Sequence, residues 1–107
     1  MRIIKLSKKH IPQIISLDEA SFGKDYDLPT ITKEEILDIL VKGFILGMFD
    51  GRKLISNIQV KKTAKNAWFI CGIATLPKKQ GKGIADKLLK KIISIAEKQK
   101  IIKISAN

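Results

Sequence analysis

Gln80-Gly81-Lys82-Gly83-Ile84-Ala85 joins an apolar run, Ala67 to Leu76, to an amphipathic run, Gly83 to Lys100. A strand that feeds a glycine-rich turn and then a helix can hold a phosphate with main chain alone. The first helical turn has N–H groups without intrahelical partners, and the aligned peptide dipoles add about half a positive charge there. Glycine supplies backbone freedom and leaves no Cβ between amide and anion.

Spacing decides which phosphate ligand is meant. A P-loop requires G-x-x-x-x-G-K-[ST], and no glycine of this chain starts one. The dinucleotide fingerprint G-x-G-x-x-G/A fails at Asp86, a carboxylate where helix and strand must pack closely. The pattern Q/R-x-x-G-x-G/A is met by Gln80, Gly83 and Ala85, behind Ile73-Ala74-Thr75-Leu76-Pro77, a strand end stopped by proline. From Gly72 to Ala85, with Leu88-Leu89 following, the segment resembles the acetyl-CoA-binding motif of the GCN5-related N-acetyltransferases (GNAT).

The rest of the chain supplies elements in a matching order. Arg2 to Leu6 reads as a strand, Ser7 as an N-cap, and Ile11, Ile14, Ile15, Leu17 and Ala20 as a helix face ending near Phe22-Gly23. Thr32 and Glu35 form a capping box for a helix through Ile36, Leu37, Ile39 and Leu40, with Gly43 as its stop. Phe44 to Phe49 and Leu54 to Val60 read as a hairpin about Asp50-Gly51, and Lys61 to Asn66 as a polar turn. Two apolar rows, Ile84/Leu88/Ile92/Ala96 and Ala85/Leu89/Ile93, give the last helix one buried side, and Ile101 to Ile104 reads as a closing strand.

The expected fold class is therefore α/β of the α+β kind. It is a GNAT-like mixed, mostly antiparallel central sheet with helices on both faces, in the order β-α-α-β-β-β-α-β, ending after the fifth strand. The resemblance covers residues 1–107 as one domain and implies a further helix and two strands that this sequence does not contain. Relatives often draw from those elements a tyrosine that protonates the departing thiolate. Tyr26, the only tyrosine, lies between the first two helices and has no such role by motif. An apolar final strand with nothing beyond it predicts self-association, such as a homodimer through that edge, or a missing C-terminal part.

Composition sets the outer bounds. The net charge is +11, and residues 61–107 carry twelve lysines against Asp86 and Glu97. That basic half contains the phosphate loop and would attract an anionic ligand such as coenzyme A. Cys71 is alone, which excludes an internal disulfide, and one Cys with one His cannot make a zinc cluster. No signal-peptide pattern opens the chain, and no apolar run reaches bilayer length, so a cytoplasmic protein without membrane contact is expected.

The resemblance implies roles for particular residues. Backbone groups of Ile73, Ala74 and Thr75 would pair with the pantetheine arm of acetyl-CoA, the co-substrate. The N–H groups of Gln80, Gly81, Lys82, Gly83, Ile84 and Ala85 would cradle its pyrophosphate, with Gly81 and Gly83 chosen for close approach and Ala85 for helix packing. Lys78, Lys79 and Lys82 are within reach of its phosphates. An amine acceptor, small molecule or protein, would attack the thioester directly, and no catalytic residue is assigned. Asp25 and Asp27 lie in the loop that shapes the acceptor site in this family, although turn-forming surface acids are the simpler reading. Cys71 reads as a small core side chain and His10 as a surface residue. Two other functions compete with acetyl transfer: a non-catalytic acetyl-CoA-binding regulator or partner subunit, and a basic nucleic-acid binder. The latter has net charge as its only support, because no base-stacking pattern accompanies it.

Overall fold

Alternation in Phe44-Ile45-Leu46-Gly47-Met48-Phe49 sends successive side chains to opposite faces of a sheet, and both faces are covered. The computed structural model describes residues 1–22 and 30–106. Strands β1 (Arg2–Lys5), β2 (Gly43–Asp50), β3 (Lys53–Ala64), β4 (Ala67–Thr75) and β5 (Lys103–Ala106) lie side by side in chain order. The pairs from β1 to β4 are antiparallel, and β4 and β5 are parallel. A parallel neighbour needs a crossover, and α3 (Ile84–Lys98) provides it. Helices α1 (Ile11–Phe22) and α2 (Lys33–Lys42) precede β2.

Two cores result. Ile84, Leu88, Ile92 and Ala96 of α3 press on Phe44, Leu46, Ile58, Val60, Trp68 and Ile70. On the opposite face, Ile14, Leu17, Ile36 and Ile39 cover Ile45, Phe49, Leu54 and Ala74. Leu88 and Ile92 are wholly excluded from solvent, and burial of side chains this size contributes about 2 kcal/mol each. The second expected row of α3 is only partly used: Leu89 is half-buried, while Ile93 stays 41% exposed.

Local chemistry explains the element ends. Glu35 N donates to Thr32 Oγ1 at 3.1 Å and Thr32 N donates to Glu35 Oε1 at 3.3 Å, the reciprocal cap expected from sequence. Gly43 N donates to Ile39 O, so the same glycine closes α2 and opens β2. A Cβ there would collide with the Val60 carbonyl, which is why only glycine fits. Asp50 pairs with Lys53 around Gly51, whose φ of +62° is the glycine-requiring first position of a tight hairpin turn.

Three boundaries differ from the sequence reading. The stretch Lys61 to Ala64 is strand rather than turn: polar side chains alternate outward at a sheet margin, and only Lys65-Asn66 reverses the chain. Helix α3 stops at Lys98, not Lys100. Ile101 N donates to Ala96 O at 2.9 Å and Lys100 N to Glu97 O at 3.2 Å, a Schellman end with Lys100 left-handed at φ 58°. The last strand is consequently displaced to Lys103–Ala106, and Ile102 is left 83% exposed.

Candidate functional site

Beyond Thr75 the chain turns sharply. Leu76 N donates to Ile55 O at 2.9 Å, and Pro77–Lys79 make one 3-10 turn. Gln80 is extended; its N–H donates to Pro77 O at 3.3 Å, so of the amides expected to cradle the pyrophosphate this one is already spent, and its Nε2 donates to the Thr75 carbonyl at 3.1 Å. Gly81 and Gly83 follow at φ 77° and 76°, left-handed values that cost other residues roughly 1–2 kcal/mol. No atom lies within 4 Å of where a Cβ would stand on either glycine. The glycines are therefore required by backbone conformation, and the space for an approaching group is open solvent.

Gly83 is the N-cap of α3 and has no side chain to cap it. Among the described residues, no protein group accepts from the main-chain N–H groups of Gly81 to Asp86. Asp86, the one acid in this first turn, instead pairs with Lys90 at 3.0 Å. The donors are thus unspent and at the positive end of a 15-residue helix. Ile84 anchors this end in the core and Ala85 is half-buried beside it. Lys78 and Lys82 are exposed at the loop, but Lys79 Nζ is held by Asp50 at 3.3 Å, tying the loop to the β2–β3 hairpin.

The strand leading into the loop has a free edge. Val60 faces Ile70 and Gln59 faces Gly72, which makes Cys71 the extra residue of a β-bulge. Pairing with β5 ends at the same place, Ile70 opposite Ala106, so among the described residues no strand pairs with Cys71–Thr75 on that side. Counting back from the Leu76–Ile55 bond, Ile73 and Thr75 occupy non-hydrogen-bonded pairs, and their backbone groups point to the free edge. The Thr75 carbonyl is already occupied there by Gln80 Nε2 at 3.1 Å, and Ser21 Oγ, 3.0 Å away, divides its one proton between this oxygen and Leu17 O at 2.7 Å. Ala74 O faces inward and accepts from Ser56 Oγ at 2.9 Å. Of the three strand residues singled out from sequence, Ile73 offers both backbone groups to the edge, Thr75 offers its N–H, and Ala74 offers neither.

A groove of about 420 Å³ opens beside this edge, between β4 and the α1–α2 layer. Its walls include Asp18, Glu35, Asp38, Gln59, Lys61 and the Cys71–Ala74 backbone. Asp38 accepts from Lys42 and Lys61, both at 3.1 Å, and these two bonds hold its carboxyl below the ordinary carboxylate range. Burial pushes the Cys71 thiol up, partly offset by Lys61, so the cysteine is a poor nucleophile at neutral pH. His10 is remote in role: its Nδ1 accepts from Ser7 N at 3.0 Å, and burial is the main cause of its lowered pKa. Asp25, Tyr26 and Asp27 lie outside the described residues.

Sequence reasoning missed the groove acids. Glu35 was absorbed by its capping role, and Asp18 and Asp38 sit on different helices that only the fold brings together. The bulge had a signal: Gly72 inside an otherwise β-prone run. Among the described residues there is no His/Cys/Asp/Glu group able to hold a metal, and no helix is long and apolar enough to cross a membrane.

A mixed five-stranded sheet, a bulged fourth strand and a strand–loop–helix with bare amides define an acetyltransferase-type domain. The chain belongs to the GNAT family: residues 2–105 match the model of the Acetyltransferase (GNAT) domain. No curated protein sequence matches it. Solved structures share the fold at low identity. The PaiA N-acetyltransferase of Thermoplasma acidophilum, in complex with coenzyme A, is 24% identical with a TM-score of 0.78, covering 94% of this chain and 74% of its own. An aminoglycoside acetyltransferase from an uncultured soil metagenomic sample, in complex with sisomicin, is 18% identical with a TM-score of 0.75, covering 99% and 76%. The Escherichia coli ribosomal-protein-S18-alanine N-acetyltransferase is 14% identical with a TM-score of 0.80, covering 94% of this chain and 61% of its own.

Proposed function

We propose that this chain binds acetyl-CoA and transfers its acetyl group to an amine. The observation that carries the reading is the row of unpartnered amides from Gly81 to Asp86, set by two left-handed glycines at the head of α3. These donors suit the pyrophosphate of coenzyme A, with Lys78 and Lys82 adding charge at the rim. The pantetheine arm would then run along the free edge, exchanging hydrogen bonds with Ile73 and the Thr75 N–H as an added strand would. That course brings the thioester to the bulge at Cys71-Gly72, where the groove meets the edge.

Transfer there needs no covalent enzyme intermediate. The amine lone pair forms the new C–N bond, the C–S bond breaks with its electrons going to sulfur, and the spare proton on nitrogen passes to water. The protein contributes positioning and a backbone donor to the carbonyl oxygen. Isothermal titration with acetyl-CoA is the test: absence of heat at millimolar ligand removes the proposal.

A second reading, a non-catalytic acetyl-CoA-binding module, is favoured by one feature. Strand β4 carries no carboxylate or imidazole, and its single thiol is held protonated. Thiol release from acetyl-CoA across a panel of amines separates the two: turnover ends the module reading, and tight binding without turnover establishes it.

A further inference from the structure

Charge in this chain falls into two opposed territories. The segment from Asp18 to Asp38 holds seven of the ten carboxylates against two lysines, a local balance of −5 in a protein of net charge +11. Three of those acids, Asp18, Glu35 and Asp38, converge on the groove beside β4 from two different helices. Asp38 is neutralised by Lys42 and Lys61. The other two are only half spent: Asp18 Oδ2 accepts from Ile31 N at 2.8 Å and Glu35 Oε1 serves the α2 cap. Asp18 Oδ1 and Glu35 Oε2 have no donor among the described residues.

A second observation points to what these oxygens face. Gln59 lines the same groove while only 6% exposed. Its Nε2 donates to Asn57 Oδ1 at 3.2 Å, which turns Oε1 toward Gly72, 3.3 Å from where a Cβ would stand. Nothing among the described residues donates to that oxygen, and Asn57 Nδ2 behind it is buried without an acceptor. Buried carboxamides are normally satisfied, because an unmade bond costs more than a made one gains. A carbonyl oxygen reserved at the junction of groove and bulge is suited to an N–H donor arriving from outside.

We infer that the acceptor is an aliphatic amine with a second cationic centre, its attacking nitrogen held by Gln59 Oε1 and its remaining charge by Asp18 and Glu35. The inference rests on the acetyl-transfer reading and narrows it to a substrate class. The second cation is required by the chemistry. An attacking nitrogen must be neutral, so carboxylates reward only a charge that stays on the substrate elsewhere. A carboxamide suits the nitrogen for the same reason, since it orients an N–H without favouring the ammonium as a carboxylate would. Gln59 is therefore a specificity residue that takes no proton.

The test is calorimetric titration of the CoA-saturated protein with spermidine as the probe, against hexylamine as a single-charge control. Spermidine should bind at least about tenfold tighter, despite the protein's overall positive charge. Glu35→Gln, which keeps the cap, and Asp18→Asn, which keeps the bond to Ile31, should each weaken spermidine about threefold. Glu19→Gln, on α1 but outside the groove, should not change it. Gln59→Leu should weaken both amines alike, with acetyl-CoA affinity retained. Equal affinity for the two amines, or indifference to the Glu35 and Asp18 variants, overturns the inference and leaves acetyl transfer standing. Failure of acetyl-CoA itself to bind overturns both.

Discussion

Gln80 Nε2 and the Thr75 carbonyl oxygen are 3.1 Å apart, and this bond closes the loop that presents the amides of α3. The motif glutamine thus works through its side chain, staking the turn to the strand end rather than meeting a ligand. Ser21 Oγ lies 3.0 Å from the same carbonyl and 2.7 Å from Leu17 O, so its one proton is divided between the strand end and its own helix. Replacing Gln80 with Ala should lower acetyl-CoA affinity about fivefold through lost preorganisation, a change read by calorimetry while the thermal midpoint hardly moves. Undiminished affinity would show the stake to be dispensable.

Lys100 occupies the left-handed position of the α3 Schellman end, where glycine is the usual residue. Lys100→Gly should raise stability by about 1 kcal/mol in urea denaturation, since the strained φ is relieved and no packed side chain is lost. A destabilised variant would mean that the lysine side chain contributes more than its backbone costs.

At Gly83 the same argument has the opposite sign. Gly83→Ala should cost about 1 kcal/mol with no steric clash, because the φ of 76° alone opposes a side chain. Gly43→Ala should cost more despite an ordinary extended φ, because its Cβ has nowhere to go beside Val60 O. Denaturation of the two variants side by side separates conformational strain from collision, and the reverse ranking would refute the distinction.

Asp38 is held below its ordinary value of 3.8 by bonds from Lys42 and Lys61. A depressed carboxylate pKa adds stability that is fully present above 3.8 and lost as pH falls through the lower folded value. The carboxylate is solvent-exposed, so the effect is small. Asp38→Asn should leave a shallower acid limb of stability against pH, and an unchanged acid limb would show the paired lysines to be solvated rivals rather than partners.

Cys71, whose thiol burial pushes up, should react with iodoacetamide more slowly at neutral pH than a free cysteine and gain speed as pH rises. Fast labelling at neutral pH would place the thiol in a different environment.

What was legible in the sequence was whatever rests on local periodicity and caps. Thr32 and Glu35 announce α2, Asp50-Gly51 announces the hairpin, and the Ile84/Leu88/Ile92/Ala96 row announces the buried side of α3. Lys61 to Ala64 misled because strand residues at a sheet margin need no apolar alternation; their pairing with Phe69, Trp68 and Ala67 holds them. The loop was found from its glycines, but the use made of Gln80 was not, since a side chain folding back five residues leaves no periodic trace. The groove was least visible of all. Asp18, Glu35 and Gln59 are far apart in the chain and meet only when α1, α2 and β3 pack together.

The bulge at Cys71 divides one strand into two kinds of material. From Ala67 to Ile70 every neighbour is in place on both sides, so sequence change there will be answered by the melting temperature. From Cys71 to Thr75 no strand pairs on one flank among the described residues, and change there will be answered by whatever docks against it. A scan along these nine residues of β4 should therefore switch its readout midway, folding defects giving way to recognition defects within a single step of the backbone.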